Sequence, residues 1–252
     1  MKDLVSIIMP MYNSAAYVVE AIQSVLAQTY TNWELIVVDD CSRDDSVARV
    51  KEFCSIDSRI SLFKTDKASG SPTTPRNDGV KHANGRFIAF LDSDDMWLPT
   101  KLEEQLKGFK ESDGSVAIVY SDYEKITEGG ERSGRVVKAP AKATYVSMLK
   151  GNVIGNRTGI YDTSKVGKGF FHRIHHEAYV MWLSILKKDF IARNTETVTA
   201  LYRVRSESLT SKKFSLLTWQ WNIYVNVEKT GYLRAIYYYA IYACKGFLKS
   251  LI

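Results

Sequence analysis

The stretch "FLDSDD" closes an apolar run with three carboxylates in four residues, Asp92, Asp94 and Asp95. Carboxylates this close repel one another unless a cation or hydrogen-bond donors offset the charge. Oxygen ligands with no Cys or His nearby suit Mg2+ or Mn2+, which keep waters and share substrate phosphates. The alternative is a solvated acidic turn before the next helix. A calcium loop fits poorly, because Met96 and Trp97 fall where an acceptor and a glycine are needed, although Glu103 stands at the twelfth position. No G-x-G-x-x-G or Walker-type loop occurs, which excludes classical dinucleotide and P-loop readings. A second candidate is "HHEAYVMWL", His175 to Leu183, read as the opening of an amphipathic helix. It sets Glu177 and two imidazoles at a helix start, where the dipole favours negative charge, and then offers only the methyl group of Ala178. His172, His175 and His176 read as surface or capping groups rather than metal ligands, and Trp97 as a packing residue.

Such groups need a scaffold. "LVSIIMP" is a continuous apolar run, a buried parallel strand closed by Pro10. "SAAYVVEAIQSVLAQT" follows with a helical period and Ser14 as its N-cap. "WELIVVDD", "ISLFKT", "RFIAFLDSDD" and "VAIVYSDY" read as further strands. "DDSVARVKEFC", "TTPRNDGVKHA" (Pro75 in its first turn) and "TKLEEQLKGF" read as the helices between them. Strands alternating with helices predict an α/β fold with a mostly parallel, Rossmann-like sheet covered on both faces. Ligands of such sheets bind at the carboxyl ends of the strands. Tyr12 and Asn13 follow the first strand, Asp39 and Asp40 the second, and the acid cluster the fourth. Beyond about residue 122 the pattern loosens into a hairpin, "YEKITEGGERSGRVVK", and a short helix with irregular strands, "YVSMLKGNVIGNRTGIYD".

Of 252 residues, 45% are apolar and 25% charged, as in an ordinary globular protein. The net charge of +6 is carried by residues 203–252, where eight Lys or Arg stand against Glu207 and Glu228, while the remainder balances. A neutral body with a basic segment argues for an anionic surface or ligand, and against a nucleic-acid partner. Cys41, Cys54 and Cys244 are odd in number and lack metal-ligand spacing, as expected of free thiols in a reducing cytosol. No secretory signal is read, since the first apolar run, Leu4 to Met9, is short.

In "YLRAIYYYAIYACKGFLKSLI" the longest uncharged apolar run, Ala235 to Cys244, has ten residues, against about 20 needed to span a bilayer. As a helix it gathers Leu233, Ile236, Tyr237, Ala240, Ile241, Cys244, Phe247, Leu248 and Leu251 on one face. Arg234, Lys245 and Lys249 share a flank, and Tyr238, Tyr239 and Tyr242 fill the rest. The pattern predicts contact with the inner leaflet of a membrane through residues 232–252; the alternative is a helix packed on its own core.

Five segments together resemble one family. They are "VSIIMPMYN", "WELIVVDDCSRDDS", "TPRNDGVKHANGRFIAFLDSDDMWLPTKLEEQ", "HHEAYVMWLSILKK" and "YRVRSESLTSKK". In order and in coverage of nearly the whole chain they are similar to family 2 glycosyltransferases of GT-A fold, of the bacterial O-antigen and capsular polysaccharide type. The resemblance implies an inverting, metal-dependent enzyme that moves a hexosyl-type sugar from a UDP-sugar to a hydroxyl of a lipid-linked oligosaccharide, on polyprenyl diphosphate. It would work in the cytoplasm, peripherally on the inner face of the cytoplasmic membrane. Residues 1–122 would form the nucleotide-sugar-binding half, 123–215 the acceptor-binding and catalytic half, and 216–252 a helical tail.

Residue by residue, the resemblance implies that Pro10, Tyr12 and Asn13 line the base and sugar pocket. Asp40 would accept a hydrogen bond from uracil with Asp39 supporting its loop, and Arg76 would flank base or diphosphate. Asp92-Ser93-Asp94 looks like the DXD motif, with Asp92 near the ribose and, with Asp94, at the Mn2+ or Mg2+ ion; Asp95 would orient the turn. Arg203, Ser208, Ser211 and Lys212 match a segment that clamps the diphosphate or orders a lid, the alternative being a solvated loop. "GNVIGNRTGIYD" would line the acceptor cleft. Pro75 departs from the small residue usual before the Arg-Asn pair, which stiffens the loop without removing Arg76.

The larger departure is Ala178. In the similar motif a Glu-Asp pair opens this helix and the Asp is the base; here the pair reads Glu177-Ala178, and a methyl cannot accept a proton. Three explanations stand: a base deleted in the laboratory, takeover by Glu177 or His176, or a nucleotide-sugar-binding protein without transferase activity. A nucleotidyltransferase is disfavoured, because a Gly-rich entry loop with Arg and Lys is missing after the first strand.

Overall fold

The computed structural model describes residues 3–205 and 213–250. A βα repeat opens the chain: β1 (Val5–Met11), α1 (Val18–Leu26), β2 (Trp33–Asp39), α2 (Ser46–Ile56), β3 (Ile60–Lys64), α3 (Thr73–His82) and β4 (Phe87–Phe90). Next come β5 (Met96–Trp97), α4 (Lys101–Lys110), β6 (Val116–Ile126), β7 (Arg132–Val137), β8 (Lys142–Ala143) and α5 (Tyr145–Leu149). A single 3-10 turn, Asn156–Thr158, leads into β9 (Ile160–Asp162), α6 (Thr163–Val166), α7 (Glu177–Leu186) and β10 (Ile191–Arg203). Then α8 (Lys213–Asn222) runs into a π-helical turn at Ile223–Val227, and α9 (Tyr232–Ser250) follows.

One sheet joins all the strands in the order β3-β2-β1-β4-β9-β6-β10-β5, with β7 paired to β6 and β8 to β10. β3, β2, β1 and β4 are parallel, and so are β6 and β10. Between the two sets lies β9, antiparallel to both β4 and β6, so the sheet is mixed rather than parallel throughout. This is the expected α/β arrangement, with helices between the parallel strands.

The strand period of two sorts β1 between two cores. Ile8 packs with Ile36, Phe90 and Trp182 on one face, while Ile7 and Met9 pack with Val37, Ala89 and Leu102 on the other. Each fully buried aliphatic side chain contributes roughly 1.5–3 kcal/mol, so a one-residue slip of β1 would be prohibitive. On the first face α3 lies so close to β1 that a Cβ on Gly79 would meet Ile8 Cγ2 at 2.4 Å. Likewise a Cβ on Gly159 would meet the Trp182 ring at 2.7 Å, so that glycine lets α7 settle against the 3-10 turn.

Four expectations are corrected. β1 does not stop at Pro10 but runs to Met11, with Pro10 opposite Val38. Ile8 O accepts from Leu91 N, and Pro10, two residues on, faces the same edge beyond the end of β4, where its missing N–H breaks no ladder bond. Ser14 is not a side-chain N-cap: α1 begins at Val18, Ser14 O receives Tyr17 N and Val18 N, and its hydroxyl goes to Ser93. α7 is not amphipathic, since Tyr179 to Leu183, Ile185 and Leu186 are all buried, as in a helix that is covered all round. β10 was not expected, because Arg193 to Thr197 break its alternation; register shifts against β6 absorb them, with Glu196 at φ 59°.

The expected hairpin is β6–β7, and the three cysteines are free. In α9, Ala235 is buried while Tyr238 and Tyr239 pack on Tyr224 and Trp221, at ring separations of 6.1 and 5.4 Å. Leu233, Ile236 and Tyr237 remain exposed. Among the described residues no helix is long and apolar enough to cross a membrane.

Candidate active site

β2, β1 and β4 are parallel neighbours, so the loops at their carboxyl ends lie side by side. Tyr12 follows β1 directly, with half its surface exposed. Asn13 takes a left-handed φ of 46° and ties its loop to the one after β2: its N–H donates to Ser42 Oγ (2.9 Å) and its Oδ1 accepts from Arg43 N (2.8 Å). Asp39 is buried and accepts from Ser42 N at 3.1 Å. Asp40, also buried, binds the loop after β3, accepting from Thr65 Oγ1 (2.9 Å), Ser69 N (3.0 Å) and Ser69 Oγ (2.8 Å). Ser93 is linked to Ser14 by a 2.7 Å hydroxyl contact, which joins the β1 and β4 loops.

Three arginines from distant parts of the chain serve the three acids. Arg76 of α3 donates from Nη2 to Asp92 Oδ1 at 2.5 Å. Arg157 of the 3-10 turn donates from Nε to Asp95 Oδ2. Arg205, just past β10, reaches Asp94 Oδ2 from Nη1 at 3.3 Å. Asp95 also accepts from Arg203 N (3.0 Å) and donates its own N–H to Asp92 O (3.0 Å), so it orients the turn. Burial would raise the Asp92 carboxyl, but Arg76 and then Arg157 hold it below the ordinary range. Burial and the charge of Asp92 push Asp94 up. Burial pushes Asp95 up to about 7 against the pull of Arg157.

Would this loop suit a divalent ion? Among the described residues no three His, Cys, Asp or Glu side chains gather as a ligand set. Mg2+ and its like bind through one or two carboxylates and complete their shell from phosphate and water. Asp94, partly exposed, offers the hard oxygen such an ion takes, with Asp92 beside it. The donor set fits.

Arg76 also reaches across the site. Its Nη1 donates to Glu177 Oε1 at 2.5 Å, which joins the DSDD loop to the first turn of α7. Burial opposes its charge, yet Asp92 and Glu177 hold it protonated. Its Nε has no hydrogen-bond partner among the described residues. Before α7 the backbone turns left-handed at His176 (φ 61°). His175 stacks on Trp219 of α8 at 3.7 Å, and His176 meets the same ring edge-on at 5.6 Å. Burial lowers the His176 pKa, partly offset by Glu177. Ala178 is partly buried against the core beneath.

The arginines have their own supports. Trp97 Nε1 donates to Arg157 O (3.0 Å), while Lys101 Nζ (3.1 Å) and Gln105 Nε2 (2.6 Å) both donate to Thr158 O. Trp97 is thus a packing residue, and the fully buried Lys101, its pKa pulled well down by burial, helps fix the turn. The Arg157 guanidinium lies 3.8 Å over the Tyr202 ring. Arg203 is buried and directed inward to Glu20 (2.5 Å), Asp94 O (2.8 Å) and Glu128 O (2.7 Å).

The structure therefore brings Pro10, Tyr12, Asn13, Asp39, Asp40, Asp92, Ser93 and Asp94 to one edge of the sheet, with Arg76 and Glu177 bridging to it. Ser208, Ser211 and Lys212 lie outside the described residues. Arg157 and Arg205 were missed as members of the acid site. Arg157 has no acid within four residues, and the acid next to Arg205 in sequence is Glu207, so nothing local pointed either arginine to the acid loop; the hint was that three clustered carboxylates need donors from somewhere.

Sheet order and acid loop have the GT-A fold of solved sugar transferases, and the family follows from the sequence. The chain belongs to glycosyl transferase family 2, whose model matches residues 6–160, and it is a glycosyltransferase. It is 41% identical over 247 residues to the Escherichia coli UDP-Glc:alpha-D-GlcNAc-diphosphoundecaprenol beta-1,3-glucosyltransferase WfgD, covering 98% of this chain and 94% of WfgD. In structure it is similar to S. aureus TarS residues 1–349 in complex with UDP-GlcNAc, with a TM-score of 0.69 at 20% identity over 89% of this chain and 67% of that one. It is also similar to the mannosyltransferase PcManGT of Pyrobaculum calidifontis in complex with GDP-Man and Mn2+, with a TM-score of 0.70 at 17% identity over 93% and 69%.

Proposed function

We propose that this glycosyltransferase moves a hexose from a UDP-sugar to a hydroxyl of a polyprenyl-diphosphate-linked glycan in surface polysaccharide synthesis, with inversion and with a divalent ion. The observation that carries the reading is Arg76, whose single guanidinium binds both Asp92 of the acid loop and Glu177 at the start of α7. It sets the donor site and the acceptor-activating helix one side chain apart. Similarity to WfgD makes UDP-glucose the first donor to assay and a GlcNAc-diphosphate lipid the first acceptor.

In the mechanism that follows, Tyr12 offers its exposed ring to the base, and Asp39 and Asp40 hold the loops around it. Asp94, with Asp92, would hold Mn2+ or Mg2+, which when bound neutralises charge on the departing diphosphate. Glu177 lies in the first turn of α7, where the helix dipole favours a carboxylate, and Arg76 fixes its direction. Ala178 stands where the acceptor's proton would be taken, and its methyl takes none. Transfer by this chain is therefore slow relative to its donor binding. A binding role without transfer is the second reading, favoured by that one residue.

The tail adds a location. Leu233, Ile236 and Tyr237 form an exposed apolar stripe on α9 with Arg234 and Lys245 also exposed, a pattern suited to the anionic face of a membrane carrying the lipid acceptor. Calorimetry of UDP with and without Mn2+, followed by UDP release from UDP-glucose in the presence of the lipid acceptor, tests the reading. Metal-independent or absent UDP binding would overturn it.

A further inference from the structure

The three arginine–carboxylate pairs of the acid loop are not equivalent. Arg76 and Arg157 are largely buried, with side chains 6% and 16% exposed, and they make short contacts to Asp92 and Asp95. Each has a second anchor, Glu177 for Arg76 and the Tyr202 ring for Arg157. Arg205 differs. Its side chain is 38% exposed, its contact to Asp94 is 3.3 Å, and its Nε has no hydrogen-bond partner among the described residues. Beyond Asp94 it has the face of Tyr17 at 5.1 Å, a ring whose hydroxyl donates to Glu128.

Building on the metal and diphosphate reading above, we infer that Arg205 is an exchangeable counter-ion: it occupies Asp94 in the empty enzyme and passes to the diphosphate when the donor binds. Arg205 and a divalent ion seek the same carboxylate oxygen, and two cations cannot share it without repulsion. An ion arriving alone must displace the guanidinium into water. An ion arriving with a diphosphate brings the acceptor that a guanidinium binds best, through paired charge-assisted bonds. Arg205 thereby makes metal and nucleotide binding mutually reinforcing, and by linkage each ligand gains the same factor from the other. Arg76 and Arg157 stay in place, because leaving would strand buried acids.

The test is binding of Mn2+ to the full chain, followed by electron paramagnetic resonance, with and without saturating UDP. Wild type is compared with Arg205→Gln and Arg205→Lys, each checked for an unchanged melting temperature. An exposed ion pair of this kind is worth up to about 1 kcal/mol, which competes by about two- to fivefold. Arg205→Gln should therefore bind Mn2+ alone about two- to fivefold more tightly than wild type. UDP should raise its Mn2+ affinity by a smaller factor than in wild type, and Arg205→Lys should fall between the two. Equal or weaker binding of Mn2+ alone by Arg205→Gln overturns the exchange. If wild type binds Mn2+ with UDP normally, only the exchange fails. If wild type binds neither ligand in any combination, the donor-site reading fails with it.

Discussion

Arg76 and Glu177, 101 residues apart in the chain, meet at 2.5 Å, and the other end of the same guanidinium holds Asp92 at 2.5 Å. One buried cation thus ties α3, the acid loop and α7 together. Arg76→Met would leave two carboxylates facing each other in a largely dry site. Removing one partner of a buried pair typically costs about 3–5 kcal/mol. The urea midpoint should fall accordingly with its slope unchanged, and adding Glu177→Gln should restore part of the loss. A midpoint that does not move in the single variant would show that the bridge holds nothing together.

Ala178→Asp should restore a base. The position lies in the first turn of α7, where a carboxylate gains from the helix dipole, so the fold should tolerate it. General-base catalysis is typically worth ~10²–10⁴-fold, and UDP release with donor and lipid acceptor should rise by about that factor. Affinity for UDP should stay the same, because the change lies on the acceptor side. Equal and robust rates in both chains would place the base elsewhere, at Glu177 or His176.

Much of the proposed donor side was legible as a cluster because it is local. β1, β2 and β4 are apolar runs that end in polar pairs, and a parallel sheet puts such ends together, so Tyr12, Asp40 and Asp92 could be grouped before any fold was seen. The arginines were not legible in that way. Arg157 reaches Asp95 only because Trp97, Lys101 and Gln105 pin the carbonyls of its turn, a relation between segments more than 50 residues apart. β10 was hidden for a different reason: its polar residues break the alternation, and its pairing with β6 proceeds through register shifts. α7 misled because a stripe of apolar residues was read as one face, when the sheet, α5 and α8 cover it together.

Acid should weaken the middle of the sheet, at the end of β9. Asp162 has a fully buried side chain that accepts from Arg86 Nη2 (2.6 Å) and Ser164 N (3.0 Å). Burial opposes its charge, but these partners win and hold the carboxyl below its ordinary value. A depressed folded pKa means a contribution that is complete above the unfolded value, about 4, and lost as pH falls through the folded one. Melting temperature between pH 6 and 3 should therefore fall less steeply in Asp162→Asn than in wild type, from a lower starting point. Parallel curves would show that Asp162 carries no share of the acid sensitivity.

The tail prediction turns on which face of α9 is free. Tyr238 and Tyr239 are engaged with Tyr224 and Trp221, whereas Leu233 and Ile236 are 86% and 55% exposed. Substituting the exposed pair with Glu should leave stability within about 0.5 kcal/mol, because neither residue packs against the body. The same change sets two negative charges where an anionic leaflet would lie. Wild type should float with vesicles rich in phosphatidylglycerol, more weakly with neutral ones, and the Leu233→Glu/Ile236→Glu variant should remain at the bottom of the gradient. Arg234→Glu with Lys245→Glu should remove the preference for anionic lipid, since each basic residue near the surface is worth about 1 kcal/mol. If all three proteins partition alike, the exposed stripe serves something other than a membrane.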